Sequence, residues 1–377
     1  MKKRTSFRVI WYITNSLRDK RPYYFGAGSL LLSAVFVQVI GLLVSPAITR
    51  LYSPQYIGNF ASFLSLTAIL SPISALNYPI AIVISKNENQ KKNLIKISFL
   101  VTAVITSVLC FIIPLVGDRF MSLEISEKRI YFWCLPLVIG LMGLTQTIKH
   151  IRIQEENFTR LAYADVLQCA SVNSLKVFGG VIHASLAALV VSQILSSLFQ
   201  IHHLLGWPYK NFLKVKNKNA SNKDETIFRT SYLYREFPIY RVPQDMLNAI
   251  SQNFLVIILI SYYSPAVAGF FAVAKSAVTV PSSMIGEPVF KIVYPKLSKL
   301  YAEGLPLNRV VFVSSLSLFF VGLAPTYAFY HYGELIFSFV FGERWAEAGS
   351  VASALTFLYW AHLSVRPCVA LLNVIEA

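Results

Sequence analysis

Tyr52-Ser53-Pro54-Gln55-Tyr56-Ile57-Gly58-Asn59-Phe60-Ala61 returns 211 residues later as Tyr263-Ser264-Pro265-Ala266-Val267-Ala268-Gly269-Phe270-Phe271-Ala272. Tyr, Ser, Pro, Gly, Phe and Ala recur at one spacing, and each copy follows a long apolar run and opens another. Ser-Pro suits such a junction: Ser caps a helix, and Pro fits its first turn, where a missing N–H is no loss. The later Gly lets two helices approach closely, and the leading Tyr suits a membrane–water boundary. A chain rich in Ser, Gly and Phe also matches itself by chance. The phrase therefore has meaning only if its copies hold equivalent places in the topology.

Composition says what that topology is made of. Of 377 residues, 55% are hydrophobic and only 14% charged, against roughly a quarter charged in soluble domains. Mean hydropathy is +0.56, and apolar runs of about twenty residues, each enough to cross a bilayer core, recur along the whole length. The formal charge of +16 is the footprint of Lys and Arg collected in cytoplasmic loops, so nucleic acid is not an expected partner. The basic leader is too long for a cleavable signal peptide and lacks a short apolar core ending in small residues. Cys110, Cys134, Cys169 and Cys368 are scattered through apolar runs, without CxxC or His-linked spacing, so no disulfide, metal or cofactor is expected.

Ten spans are predicted, at about 27–51, 57–84, 94–116, 130–148, 161–182, 185–205, 237–262, 266–293, 310–330 and 351–374. Basic segments precede the first, third, fifth, seventh and ninth; the loops between are short, mixed or acidic. The heaviest basic stretch is 207–235, with Lys210, Lys214, Lys216, Lys218, Lys223, Arg229 and Arg235. This alternation puts the N-terminus in the cytoplasm. Both copies of the phrase then fall on the outer side, in equivalent hairpins. Six spans per copy in one orientation predict two parallel repeats related by an axis along the membrane normal. The organisation expected is an N-terminal six-helix lobe over 1–206, a basic cytoplasmic linker over 207–235, and a C-terminal lobe over 236–377. Residue 377 falls opposite residue 166, inside the fifth span, so twelve spans are expected in the intact protein and four of the last six here.

Ionisable groups inside spans mark pathways more often than decoration. Arg241, Asp245, Asn248 and Gln252 recur at spacings of 4, 3 and 4, one face of a helix. Lys275, Thr279, Ser282, Gly286 and Glu287 make a second stripe; Asp165, Gln168, Asn173 and Lys176 a third; Gln38, Gly41, Ser45 and Thr49 a milder fourth. Lys275 sits near mid-span with no acidic residue three or four positions away, and is the leading functional cation. Arg241, Lys176, Arg366, Asn248, Gln252 and Arg50 complete the candidate substrate-binding set; Asp245, Asp165 and Glu287 are candidates for coupling to ions. Blander readings stand beside these: Arg241 snorkelling while paired with Asp245, Glu287 paired with Lys291, and Arg50 snorkelling outward. The cationic excess suits an anionic passenger with phosphate or carboxylate groups. No Walker A, GxSxG, HExxH or Gly-rich nucleotide loop appears, so no enzymatic role is expected. Prolines within spans (Pro46, Pro72, Pro79, Pro114, Pro243, Pro281, Pro288) fit helices that bend in alternating access.

Ser45-Pro46-Ala47-Ile48-Thr49-Arg50-Leu51-Tyr52-Ser53-Pro54, with Gly58 and Phe60, resembles the opening of the bacterial oligosaccharide flippases, the polysaccharide-transporter branch of the multidrug/oligosaccharidyl-lipid/polysaccharide exporter superfamily. Tyr78, Ala81-Ile82-Val83 and Lys86 look like that family's next element. The run Phe237-Pro238-Ile239-Tyr240-Arg241-Val242-Pro243-Gln244-Asp245-Met246-Leu247-Asn248, followed by Gly269 and Pro281, is similar to its seventh-helix signature. Gly342, Trp345 and Ala348 are similar to the turn before its tenth helix. One departure is Asn77-Tyr78-Pro79, where many relatives carry an Arg-Tyr-Glu-type segment. The resemblance implies an all-α polytopic membrane fold of two six-helix lobes around a central cleft. It also implies a passenger, an undecaprenyl-pyrophosphate-linked oligosaccharide. This would pass from the cytoplasmic to the periplasmic leaflet of a bacterial inner membrane, for O-antigen or capsule assembly. Membrane lipids and other polysaccharide-assembly membrane proteins are the implied partners. Two other readings stay open: a cation-coupled multidrug exporter on the same fold, which needs an anionic cavity, and a polysaccharide polymerase or ligase, which needs a large outer loop.

Overall fold

The computed structural model describes residues 21–85, 87–120, 125–206 and 226–375. These residues form twelve α-helices and no strand: α1 (Arg21–Leu51), α2 (Pro54–Leu70), α3 (Tyr78–Ile84), α4 (Glu88–Phe120), α5 (Ile125–Gln154), α6 (Phe158–His183), α7 (Leu186–Leu205), α8 (Ile227–Leu233), α9 (Val242–Tyr262), α10 (Pro265–Ala302), α11 (Asn308–Phe341) and α12 (Ala346–Ile375). Nine segments among the described residues are long and apolar enough to cross a membrane. The chain is a multi-pass membrane protein, as its composition predicts. The fifth expected span, 161–182, is not among the nine but is present as α6, a 26-residue helix. Its Arg160, Asp165, Gln168, Asn173 and Lys176 dilute its hydropathy, so length and composition alone do not single it out. The basic leader, Lys86, Glu124 and residues 207–225 of the basic loop lie outside the described residues.

Two spans depart from the expected continuous helix, and prolines explain both. The second breaks after Leu70 into a 3-10 turn, Ser71–Ile73, and restarts only at α3. Pro72 and Pro79 flank the break, and between them Leu76 (φ 49°) and Asn77 (φ 55°) adopt the left-handed conformation. Side chains other than Gly enter it at a cost of about 1 kcal/mol or more each, so contacts elsewhere must hold them. The seventh span opens in a wide π turn, Phe237–Arg241, closed by the Val242 N–H on the Phe237 carbonyl. Pro243 has no N–H to give Ile239, and the wider turn absorbs the mismatch.

The chain forms two compact units. The first takes the described residues within Met1–Ile40, Phe63–Gly179 and Ala187–Phe254. Its core is Tyr78, Ala81, Ile82, Leu94, Ile97 and Ile151, with a second cluster of Ile148, Leu161, Ala164 and Leu204. Two arginines clasp the end of α7: Arg152 donates to the Leu204 and Leu205 carbonyls (2.8 and 2.6 Å), and Arg160 to that of His203 (3.1 Å). Cations there satisfy carbonyls that lack a helical donor and complement the negative end of the helix dipole.

The second unit takes Gly41–Ser62, Gly180–Leu186 and Leu255–Ala377. Its core joins α10, α11 and α12 through Val273, Ala274, Ala277, Val278, Phe337, Phe341, Trp345, Ala348 and Ala352. Gly333 and Gly349 let the antiparallel pair α11 and α12 meet backbone to backbone; a Cβ on Gly333 would lie 2.6 Å from the Gly349 carbonyl oxygen. Between these helices Gly342 (φ 107°) makes the corner, and a 3-10 turn, Glu343–Trp345, leads into α12. In α10, Pro281, Pro288 and Pro295 fall every seven residues, on one face of an unbroken helix.

Candidate functional site

The two copies of the repeated phrase meet inside the second unit. Ser53 accepts a hydrogen bond from the Tyr56 N–H (3.4 Å), and Ser264 one from the Val267 N–H (3.3 Å). Pro54 and Pro265 are the first residues of α2 and α10, so each Ser-Pro starts its helix as its chemistry dictates. Both glycines are buried against the other copy. A Cβ on Gly58 would overlap the Pro265 carbonyl and approach the Gly269 nitrogen at 2.9 Å; one on Gly269 would overlap the Pro54 carbonyl and approach the Gly58 nitrogen at 3.1 Å. The contact is reciprocal, residue for residue.

Other parts of the sequence signature gather at the same place. The Trp345 indole, 1% exposed, donates to the Thr49 carbonyl at 2.8 Å. The Thr49 hydroxyl donates to the Phe341 carbonyl (3.2 Å), and the Arg50 guanidinium to that of Phe339 (3.1 Å). Thr49 and Arg50 thus cap carbonyls at the end of α11, which have no intrahelical donor. Tyr52 is fully buried, and burial pushes its phenol pKa up. Its ring lies where a Cβ on Gly180 would come within 2.8 Å.

In the first unit the stripe on α9 begins at a carboxylate held from two sides. Asp245 Oδ2 accepts from the Asn77 amide at 2.8 Å, with Arg241 Nε 3.9 Å away. The expected Arg241–Asp245 pair is therefore loose, and Asn77 makes the closer contact. Next to it the Tyr78 hydroxyl bonds that of Ser231 at 2.9 Å. Those bonds tie the left-handed corner down. Asn248 and Gln252, one and two turns on, are exposed. On α6, Asp165 takes Lys149 Nζ at 2.7 Å and the Gln200 amide at 2.8 Å, joining three helices. Lys176 lies three turns further along α6, partly buried; Asn173 turns back on the Cys169 carbonyl at 2.9 Å.

In the second unit Glu287 pairs with Arg366 of α12 at 3.0 Å. That choice of partner differs from the expected Lys291, because the helix opposite brings a guanidinium closer. Lys275 is partly buried on α10, its carbonyl taking the Thr279 hydroxyl at 2.6 Å. It stands twelve residues from Glu287, about 18 Å along the helix axis. Of the ten candidates, Arg241 meets Asp245 and Arg366 meets Glu287; Asp165 finds Lys149 and Gln200, and Arg50 finds a carbonyl. The sequence reading missed Asn77, Lys149 and Gln200 as partners. The first was flagged only as a departure from the family pattern, and Lys149 falls between the fourth and fifth expected spans, in one of the basic segments.

The family described as Polysaccharide biosynthesis protein matches residues 47–350. The chain belongs to it. No curated protein matches in sequence. Among solved structures this polysaccharide biosynthesis protein is similar to "Lipid II flippase MurJ, inward closed conformation", with TM-score 0.68 and 12% identity over 91% of this chain and 76% of that one. It is also similar to an inward-facing multidrug resistance MATE family transporter of the MOP superfamily (TM-score 0.51, 14% identity, 92% and 82% of the chains). A third likeness is to the Vibrio cholerae MATE transporter VcmN (TM-score 0.50, 12% identity, 96% and 87%). At such identities the likeness shows the fold, and the all-α polytopic architecture is the one that the sequence resemblance predicts.

Proposed function

We propose that this protein is a flippase, not an enzyme, and that it carries a lipid-linked oligosaccharide across a bacterial inner membrane for surface polysaccharide assembly. The observation that carries this reading is the family match over 47–350 on a transporter fold. An undecaprenyl-pyrophosphate-linked unit is the passenger whose chemistry suits the spans: Lys275 and Lys176 lie within helices and present cations to phosphate or acidic sugar. Arg241, Arg366, Asn248, Gln252 and Arg50 are the further contacts of this reading, and Asp245, Asp165 and Glu287 the groups through which protons or cations drive alternating access. The repeated phrase marks two parallel repeats, in an N-terminal lobe to residue 206 and a C-terminal lobe from 236, joined by a basic linker. The N-terminus is cytoplasmic. Membrane lipids and other polysaccharide-assembly proteins are the partners.

The test is complementation. In a strain deleted for this gene, the wild-type chain restores surface polysaccharide, and Lys275→Ala, expressed to the same level in the membrane, restores a tenth or less. Full restoration by Lys275→Ala removes Lys275 from the pathway. A deletion that leaves surface polysaccharide intact and sensitises the cell to cationic drugs replaces the flippase with the drug exporter.

A further inference from the structure

Between α10, α11 and α12 of the second unit lies a cavity of about 20 Å³. Pro281 and Ser282 line it from α10; Gly322, Pro325 and Thr326 from α11; Thr356 from α12. Most of the lining is apolar, but Ser282, Thr326 and Thr356 bring hydroxyls to it. Ser282 is 6% exposed and Thr356 2%, both face the cavity, and neither hydroxyl has a hydrogen-bond partner among the described residues. Thr326, also 6% exposed, uses its hydrogen on the Gly322 carbonyl (2.8 Å) and keeps its lone pairs. Pro281 and Pro325 offer no N–H to the carbonyls of Ala277 and Val321, one turn back in each helix.

We propose that this cavity binds a water molecule that bridges α10, α11 and α12 beside Pro281 and Pro325. The volume is right: a water needs a cavity of roughly 10–15 Å³ and two to four polar partners. Ser282 and Thr356 supply two partners and Thr326 an acceptor. The lining residues include no carboxylate, so nothing there offsets the charge of an ion. The water gives the hydroxyls of three helices a common partner where the bilayer offers none.

The sign of one substitution tests this. Thr356→Val keeps shape and removes the hydroxyl. Around a bound water it takes away a partner, so the midpoint of thermal unfolding of the purified full chain in detergent falls by several degrees, and Thr356→Ser recovers most of it. In a dry cavity the same change removes a buried unpaired hydroxyl, and the midpoint holds or rises; that outcome overturns the proposal. Ser282→Ala gives a second, independent reading of the same sign. A wild-type midpoint that rises with sodium chloride but not potassium chloride, and loses that dependence in Thr356→Val, also overturns it in favour of a bound sodium ion.

Discussion

Tyr52 and Tyr263 open the same phrase, yet Tyr52 is fully buried while Tyr263 leaves 73% of its surface outside the protein. Everything local is shared between the copies: a Ser cap, a Pro in the first turn, a Gly four residues on with no room for a Cβ. What differs is supplied from elsewhere, since Tyr52 has the backbone of Gly180 to lie on. The same phrase also opens helices of unequal length, 17 residues in α2 and 38 in α10. Sequence repetition dictates how a helix begins and what its first turns touch. It does not dictate what the surroundings bring to it.

The largest expected effect follows from that asymmetry. Tyr52→Ala empties a fully buried ring site and costs about 3–5 kcal/mol, as large aromatic truncations do. Tyr263→Ala changes stability by no more than about 0.5 kcal/mol, as surface substitutions do. Thermal unfolding of the two variants in one detergent checks both. Equal losses would dissolve the contrast and make the two tyrosines equivalent after all.

The glycine contact is where the copies should behave alike. Gly58→Ala and Gly269→Ala each force the backbones apart at one crossing, and each costs about 1–3 kcal/mol. Because each Cβ would strike the other copy's carbonyl at that single crossing, the first substitution opens the space the second needs. The double variant is expected to lose clearly less than the two singles added together. Full additivity would mean that the two positions do not share one contact.

A smaller effect tests why the second span breaks. Asn77 holds a left-handed φ and donates to Asp245. Asn77→Ala loses the bond and keeps the strained backbone, at about 1–2 kcal/mol. Asn77→Gly relieves the backbone and still lacks the amide, so it falls between wild type and Ala. If Gly matches Ala, the backbone conformation carries none of the cost and the bond to Asp245 carries it all.

Much of this was legible in the sequence, and the part that was not has a physical reason. Spans, Ser-Pro caps and the close-packed Gly are properties of a residue and its chain neighbours, and period and composition report those. Pairings across helices are not. Arg241 and Asp245 share a helix face at i, i+4, so their proximity could be read; Glu287 and Arg366 lie 79 residues apart, and only the packing of α12 on α10 selects Arg366 over Lys291. The break in the second span was half visible, in Pro72 and Pro79, but the left-handed turn at Leu76 and Asn77 carries no glycine to announce it. Asp165 shows the limit most clearly: its stripe on α6 was evident, whereas Lys149 and Gln200 come from α5 and α7, whose faces no spacing on α6 encodes.

The smallest effect returns to the caps and is the fairest test of what repetition means here. Ser53→Ala and Ser264→Ala each remove one side-chain acceptor from an otherwise unmet N–H, and a lost cap costs about 1 kcal/mol. Both bonds are long, 3.4 and 3.3 Å, which argues for the lower half of the usual 0.5–2 kcal/mol range. The two variants should shift the unfolding midpoint by the same small amount, although the tyrosine beside one serine is buried and the tyrosine beside the other is not. Unequal shifts would mean that burial at Tyr52 reaches into the cap, so that even the first turn of each helix answers to its surroundings. Equal shifts would locate the likeness of the two copies in the helix starts alone, with divergence beginning at the side chains that precede them.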